Sequence, residues 1–158
     1  MDEAAVERWL SQYVEAWRSG DPHGIGELFT EDAVYRYHPW DEPTPSQERG
    51  REAIVASWIE HQDPPGSWTA EYRPWLVDGD RAVVTGTTRY LADDRSTVES
   101  EFHNVFFLEF DEDGQCRAFA EVYMKLPTEG QSASTCSRAA PVPTSVTGTP
   151  SASSTNDT

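Results

Sequence analysis

Val6, Leu10, Tyr13, Val14 and Trp17 recur at three- and four-residue steps, which predicts one amphipathic helix with a single apolar stripe. Gly20 is a stop for it, and Asp21-Pro22 supplies a cap and a first-turn proline for a second, short helix over residues 22–29. Glu31-Asp32 then turns the chain into a strand over 33–37, which ends at His38-Pro39. A loop with three prolines follows, and Gly50-Arg51-Glu52-Ala53-Ile54 opens a third helix that buries Ile54, Val55, Trp58 and Ile59. Asp63-Pro64-Pro65-Gly66 breaks it.

Beyond that breaker the apolar period changes from about 3.6 to two. Strands are expected over residues 68–77, 82–91, 97–110 and 115–126, with Asp78-Gly79-Asp80 and Asp111-Glu112-Asp113-Gly114 as hairpin turns. Three helices followed by a meander of long antiparallel strands make an α+β domain in which a curved sheet wraps the helices. Alternation sends Phe102, Asn104, Phe106 and Leu108 to one face and His103, Val105, Phe107 and Glu109 to the other. The helices cover one face only, so the second, with Val105 and Phe107, is expected to meet a second subunit in a homodimer. In the last strand Phe119, Glu121 and Tyr123 take the cavity side, and Ala118, Ala120, Val122 and Met124 face away.

Composition narrows the picture further. The 158 residues allow one ordinary domain, and six Trp, six Tyr and six Phe supply a core despite an apolar fraction of 37%. No aromatic residue lies beyond Leu126, so residues 1–126 form the domain and the Ser/Thr/Pro/Ala-rich stretch 127–158 is expected to be a disordered tail. A net charge of −16 repels phosphate backbones and anionic lipid, which argues against nucleic-acid and membrane partners. No apolar run is long enough to span a bilayer, and the acidic start is unlike a signal peptide, so a cytoplasmic location is expected. Cys116 and Cys136 share no metal-ligand spacing, and neither a phosphate loop nor a nucleophile elbow is present, so neither metal nor cofactor is expected.

Several polar groups in apolar settings are candidates for chemistry. His38, with a reference pKa near ~6.5, is suited to moving protons at neutral pH. Asp41 stands three residues on, where it would orient that ring. Glu121 places a carboxylate on an apolar face, which is costly unless the group is paired, protonated or wetted, and Arg36 or His38 would be its partner. Asn104 between Phe102 and Phe106 would orient a carbonyl or a water, and Tyr13 would donate a hydrogen bond. Trp17, Trp40, Trp58, Phe106, Phe119 and Tyr123 are expected to line a ligand cavity, whereas His23 and His61 read as surface.

The segments Tyr13-Val14-Glu15-Ala16-Trp17-Arg18-Ser19-Gly20-Asp21, Leu28-Phe29-Thr30-Glu31-Asp32-Ala33-Val34 and Gly50-Arg51-Glu52-Ala53-Ile54 give the chain a resemblance to the nuclear transport factor 2-like superfamily, and within it to the SnoaL-like group. The Phe110-to-Gly114 hairpin matches too, and coverage is about residues 3 to 126. The resemblance implies a cone: a curved sheet on three helices around a deep cavity, dimerised through its outer face. It does not imply one reaction, because the superfamily includes isomerases, dehydratases, cyclases, epoxide hydrolases and binding modules. Against its steroid isomerases, Tyr13 falls on an oxyanion donor, His38 on the general base, and Phe106 near the second donor. A phenyl ring cannot donate, so the paired-donor isomerase mechanism is not retained. The expectation is a cofactor-free enzyme acting on a hydrophobic small molecule by cyclisation, dehydration, isomerisation or water addition, with His38 and Glu121 as its proton-transfer pair. The alternative is a non-catalytic ligand-binding or association dimer.

Overall fold

The computed structural model describes residues 1–39 and 47–127. The expected roles of Trp40 and Asp41, and the tail beyond Pro127, lie outside the described residues.

Helix α1 (Glu3–Ser19) starts where Asp2 accepts a hydrogen bond from the Ala5 amide at 2.8 Å, and stops where Gly20 turns left-handed at φ 64°. Its stripe of Val6, Trp9, Leu10, Tyr13 and Ala16 is buried. Helix α2 (Pro22–Glu27) is capped by the Asp21 carboxylate and is shorter than the expected span, because the chain extends at once from Phe29. Strand β1 (Phe29–Arg36) is correspondingly longer. The Trp9 indole N–H donates to the Leu28 carbonyl at 3.1 Å, pinning α1 to the α2–β1 corner.

A three-residue strand β2 (Gln47–Arg49), absent from the sequence-based expectation, pairs antiparallel with β1. Helix α3 (Arg51–Glu60) follows, tied down by the Arg51 guanidinium on the Phe29 carbonyl at 2.8 Å. Ile54 is fully buried, but Ile59, expected inside, is 42% exposed. The long strands β3 (Trp68–Asp78), β4 (Arg81–Leu91), β5 (Val98–Phe110) and β6 (Cys116–Lys125) form the antiparallel meander read from the period of two.

The six strands form one curved, unclosed sheet in the order β2-β1-β6-β5-β4-β3. In one respect it departs from the all-antiparallel expectation: β1 runs parallel to β6, with Tyr35 beside Phe119 and Arg36 beside Ala120. Strand alternation is the same for either direction, so periodicity carries no information on it. The α+β cone is otherwise as read, and its core lies between the helices and the concave face. Ile25, Leu28, Phe29 and Ile54 meet Val84, Phe106, Leu108, Phe110 and Phe119 there.

One glycine shapes the concave face. Gly86 in β4 sits opposite Tyr72 of β3, and a Cβ at Gly86 would collide with the Tyr72 ring and the Glu71 carbonyl oxygen. The missing side chain lets Tyr72 lie across the sheet, 4.7 Å ring to ring from Phe106.

Candidate functional site

A cavity of about 650 Å³ opens between the helices and the concave face. Helix α1 contributes Tyr13 and Trp17 one turn apart, and α3 contributes Ser57 and Trp58 with His61 at its end. Alternate positions of the strands complete the wall: Tyr35 with Tyr37 beyond β1, Tyr72 from β3, Thr88 and Tyr90 from β4, Ser100, Phe102 and Asn104 from β5, and Glu121 and Tyr123 from β6. The wall is mostly aromatic, and Glu121 carries its carboxyl group.

A hydrogen-bonded chain crosses four strands to reach that carboxyl. Asn104 Nδ2 donates to Glu121 Oε1 at 2.6 Å, and Thr88 Oγ1 donates to Asn104 Oδ1 at 3.1 Å. An amide oxygen only accepts, so the Thr88 proton is committed to Asn104. The Tyr72 hydroxyl, 2.6 Å from Thr88 Oγ1, is therefore a donor to it. Every donor in the chain points towards Glu121. Among the described residues, Oε2 of Glu121 takes no hydrogen bond.

Burial sets the protonation of these groups. Desolvation raises the Glu121 pKa above the usual carboxylate range, and the Asn104 amide opposes it by stabilising the anion. Tyr13 and Tyr35 are pushed well up, chiefly by burial, then for Tyr13 by the neighbouring Tyr35 and the Glu121 charge and for Tyr35 by the Glu121 charge, so both stay protonated. Tyr90 is pushed up to about 12, mainly by burial and then by the Asp63 and Glu121 charges. The Glu121 charge also adds to the rise that burial gives Tyr72, so it reaches hydroxyls from four separate elements.

The expected site residues divide. Tyr13, Trp17, Trp58, Asn104, Glu121 and Tyr123 line one cavity. Phe106 and Phe119 do not; they are 1% and 0% exposed and lie behind the tyrosines, with Phe119 stacked on Tyr35 at 4.3 Å and on Tyr13 at 5.8 Å. His38 is not among the lining residues either. Tyr35 and Tyr37 take the inward positions of that segment, while Arg36 and Pro39 line a groove on the other face. The partner of Glu121 is Asn104 rather than Arg36 or His38.

Sequence reasoning missed His61, Tyr35, Tyr37, Tyr72, Thr88 and Tyr90. His61 lies three residues after Trp58, on the same helical face, and that spacing was a signal. Its Nδ1 lies 2.9 Å from the Ser57 carbonyl oxygen, which only accepts; Nδ1 therefore carries a proton, and a neutral ring has its lone pair on Nε2. Tyr35 and Tyr37 alternate with Arg36, a second readable signal. Among the described residues no group of His, Cys, Asp and Glu is placed to hold a metal ion.

Helices on the concave side of a curved sheet, with a polar group deep in an apolar cavity, define the nuclear transport factor 2-like class of domain. The chain belongs to the SnoaL-like domain family, whose model matches residues 10–119. No curated protein matches it. Among solved structures it is similar to an NTF-2 like protein of unknown function from Burkholderia xenovorans LB400, at 16% identity and a TM-score of 0.55 over 77% of this chain and 84% of that one. It is similar to an LEH-like epoxide hydrolase of M. tuberculosis at 14% identity and a TM-score of 0.54, over the same shares. It is also similar to a putative polyketide cyclase of Sinorhizobium meliloti at 19% identity and a TM-score of 0.50, over 77% of this chain and all of that one. At these identities the likeness establishes the fold.

Proposed function

We propose that this protein is a cofactor-free enzyme that moves a proton on a hydrophobic small molecule, with Glu121 as the acid–base group. The observation that carries the reading is the carboxyl of Glu121, desolvated in an aromatic cavity and held through Oε1 by Asn104. Its raised pKa brings it closer to neutrality, where a carboxyl both accepts and returns protons efficiently. Oε2 is the atom that takes the proton. Tyr35, kept protonated by burial in the cavity wall, donates to a substrate oxygen, so charge developing there meets a donor already in place. Trp58 and Tyr90 clamp the apolar body. The reaction types that fit are isomerisation, dehydration, cyclisation and water addition. The relatives described as an epoxide hydrolase and a polyketide cyclase support this range without selecting within it.

The protein is further proposed to act as a homodimer through the outer sheet face, where Phe107 is 44% exposed on the same face as the exposed Val122 and Met124. For the catalytic reading, the test is exchange in D₂O. Aryl ketones that bind the cavity are expected to lose their α-C–H proton signals in the presence of the protein. Binding of the whole panel with no catalysed exchange contradicts an acid–base enzyme and leaves a binding module.

A further inference from the structure

The charge balance of the cavity is lopsided. Glu121 is an acid in its wall, and among the described residues His61 is the basic group that lines it, neither Lys nor Arg does, and Glu121 forms no ion pair. Lys125 lies over the Phe102 ring at 5.9 Å without being part of the lining. A carboxylate partly withdrawn from water and without an ion-pair partner is stabilised by a proton or by a cationic ligand. The rings of Tyr13, Trp17, Tyr35, Trp58, Tyr72 and Tyr90 line the same cavity. Aromatic faces are negative at their centres and attract cations, most strongly where water is excluded. At longer range, the net charge of −16 concentrates cations at the surface and repels anions.

We infer that the natural ligand of this cavity is an organic cation: a protonated or quaternary nitrogen on an apolar body, seated against Glu121 within the aromatic wall. This rests on the proposed role of the cavity as a small-molecule site and names the class of molecule it takes. An ammonium group satisfies three features at once: the carboxylate without an ion-pair partner, the aromatic wall and the acidic surface. A neutral hydrocarbon uses only the second. A carboxylate or phosphate is opposed by the first and third. Thr88 and Asn104 spend their polar atoms on one another and on Glu121, so the ligand's charge is matched by the acid and its bulk by the rings.

The experiment titrates the full chain with phenyltrimethylammonium and with its neutral isostere tert-butylbenzene, following tryptophan fluorescence and heat. Both are expected to bind, and Glu121→Gln is expected to weaken the cation about tenfold while changing the isostere by less than about twofold. Circular dichroism checks that the variant is folded. Should it not fold, a salt series on the unaltered protein decides: cation affinity falls between about 0.05 and 0.5 M NaCl and isostere affinity does not. Binding of the isostere with no cation binding, or a cation affinity unchanged by Glu121→Gln or by salt, overturns the inference and leaves the cavity's role as a small-molecule site standing. Binding of neither probe overturns both.

Discussion

Asn104 and Glu121 stand on adjacent antiparallel strands two residues out of register, with Asn104 opposite Tyr123 and Glu121 opposite Phe106. The Asn104 amide spans that diagonal at 2.6 Å. Its other end is fixed by Thr88, whose hydroxyl is in turn fixed by Tyr72. The carboxyl is thus oriented by three strands rather than by its own rotamer alone.

Replacing Asn104 with Leu removes both bonds and leaves the Thr88 hydroxyl and Glu121 Oε1 without these partners. A loss of about 1–3 kcal/mol in urea-unfolding free energy is expected. Because the Asn104 amide lowers the Glu121 pKa, its removal raises that pKa further. Carboxyl-carbon NMR titration of the variant reads the shift directly, and a downward shift contradicts the account.

The pH dependence of stability has a definite sign. A carboxyl whose folded pKa lies above its unfolded value binds more protons when folded, so this contribution to stability is present below the unfolded pKa and is lost as pH rises through the folded one. Asn104 is bonded to Glu121, and Tyr13, Tyr35, Tyr72 and Tyr90 lie within its field; none of these tyrosines titrates in that window. Glu121→Gln should therefore flatten the fall in stability above the carboxylate range and make the protein relatively more stable at neutral pH. Chemical denaturation at a series of pH values tests this, and a steeper fall in the variant contradicts it.

Gly86→Ala drives a methyl group into the Tyr72 ring and the Glu71 carbonyl. The strain is expected to cost about 1–3 kcal/mol and to break the Tyr72–Thr88 contact. The urea midpoint reports the first effect, and the second appears as a changed tyrosine ring environment by NMR. A midpoint equal to that of the unaltered protein contradicts the close approach.

A dimer through the outer face predicts a two-chain mass at micromolar concentration. Phe107→Glu should convert it to a monomer, since it places charge in an apolar contact. Light scattering distinguishes the outcomes, and a monomeric mass for the unaltered chain contradicts the dimer.

The long elements were legible because their patterns are repetitive. Five apolar positions in α1 and four runs of period two located the helix and the meander within a few residues. The facing of Asn104 and Glu121 was readable for the same reason, since alternation in β5 and β6 sends both to the concave side. What was not legible depends on direction and on long-range register. The parallel docking of β1 on β6 leaves no trace in alternation. The chain from Tyr72 through Thr88 to Asn104 joins residues 16 apart at each step, through pairings no local pattern contains. At the end of the first strand Tyr35 and Tyr37 hold the inward positions, and His38 is not among the residues that line the cavity. Phe106 and Phe119 share the facing of the site residues, but the tyrosines from α1 and β1 cover them.

The central claim is that Glu121 moves the proton, and isotope exchange tests it most directly. In D₂O, with an aryl ketone shown to occupy the cavity, the unaltered protein should catalyse loss of the α-C–H signal, and Glu121→Gln should slow it by ~10²-fold or more while binding persists. Equal exchange rates in the two proteins would contradict the account.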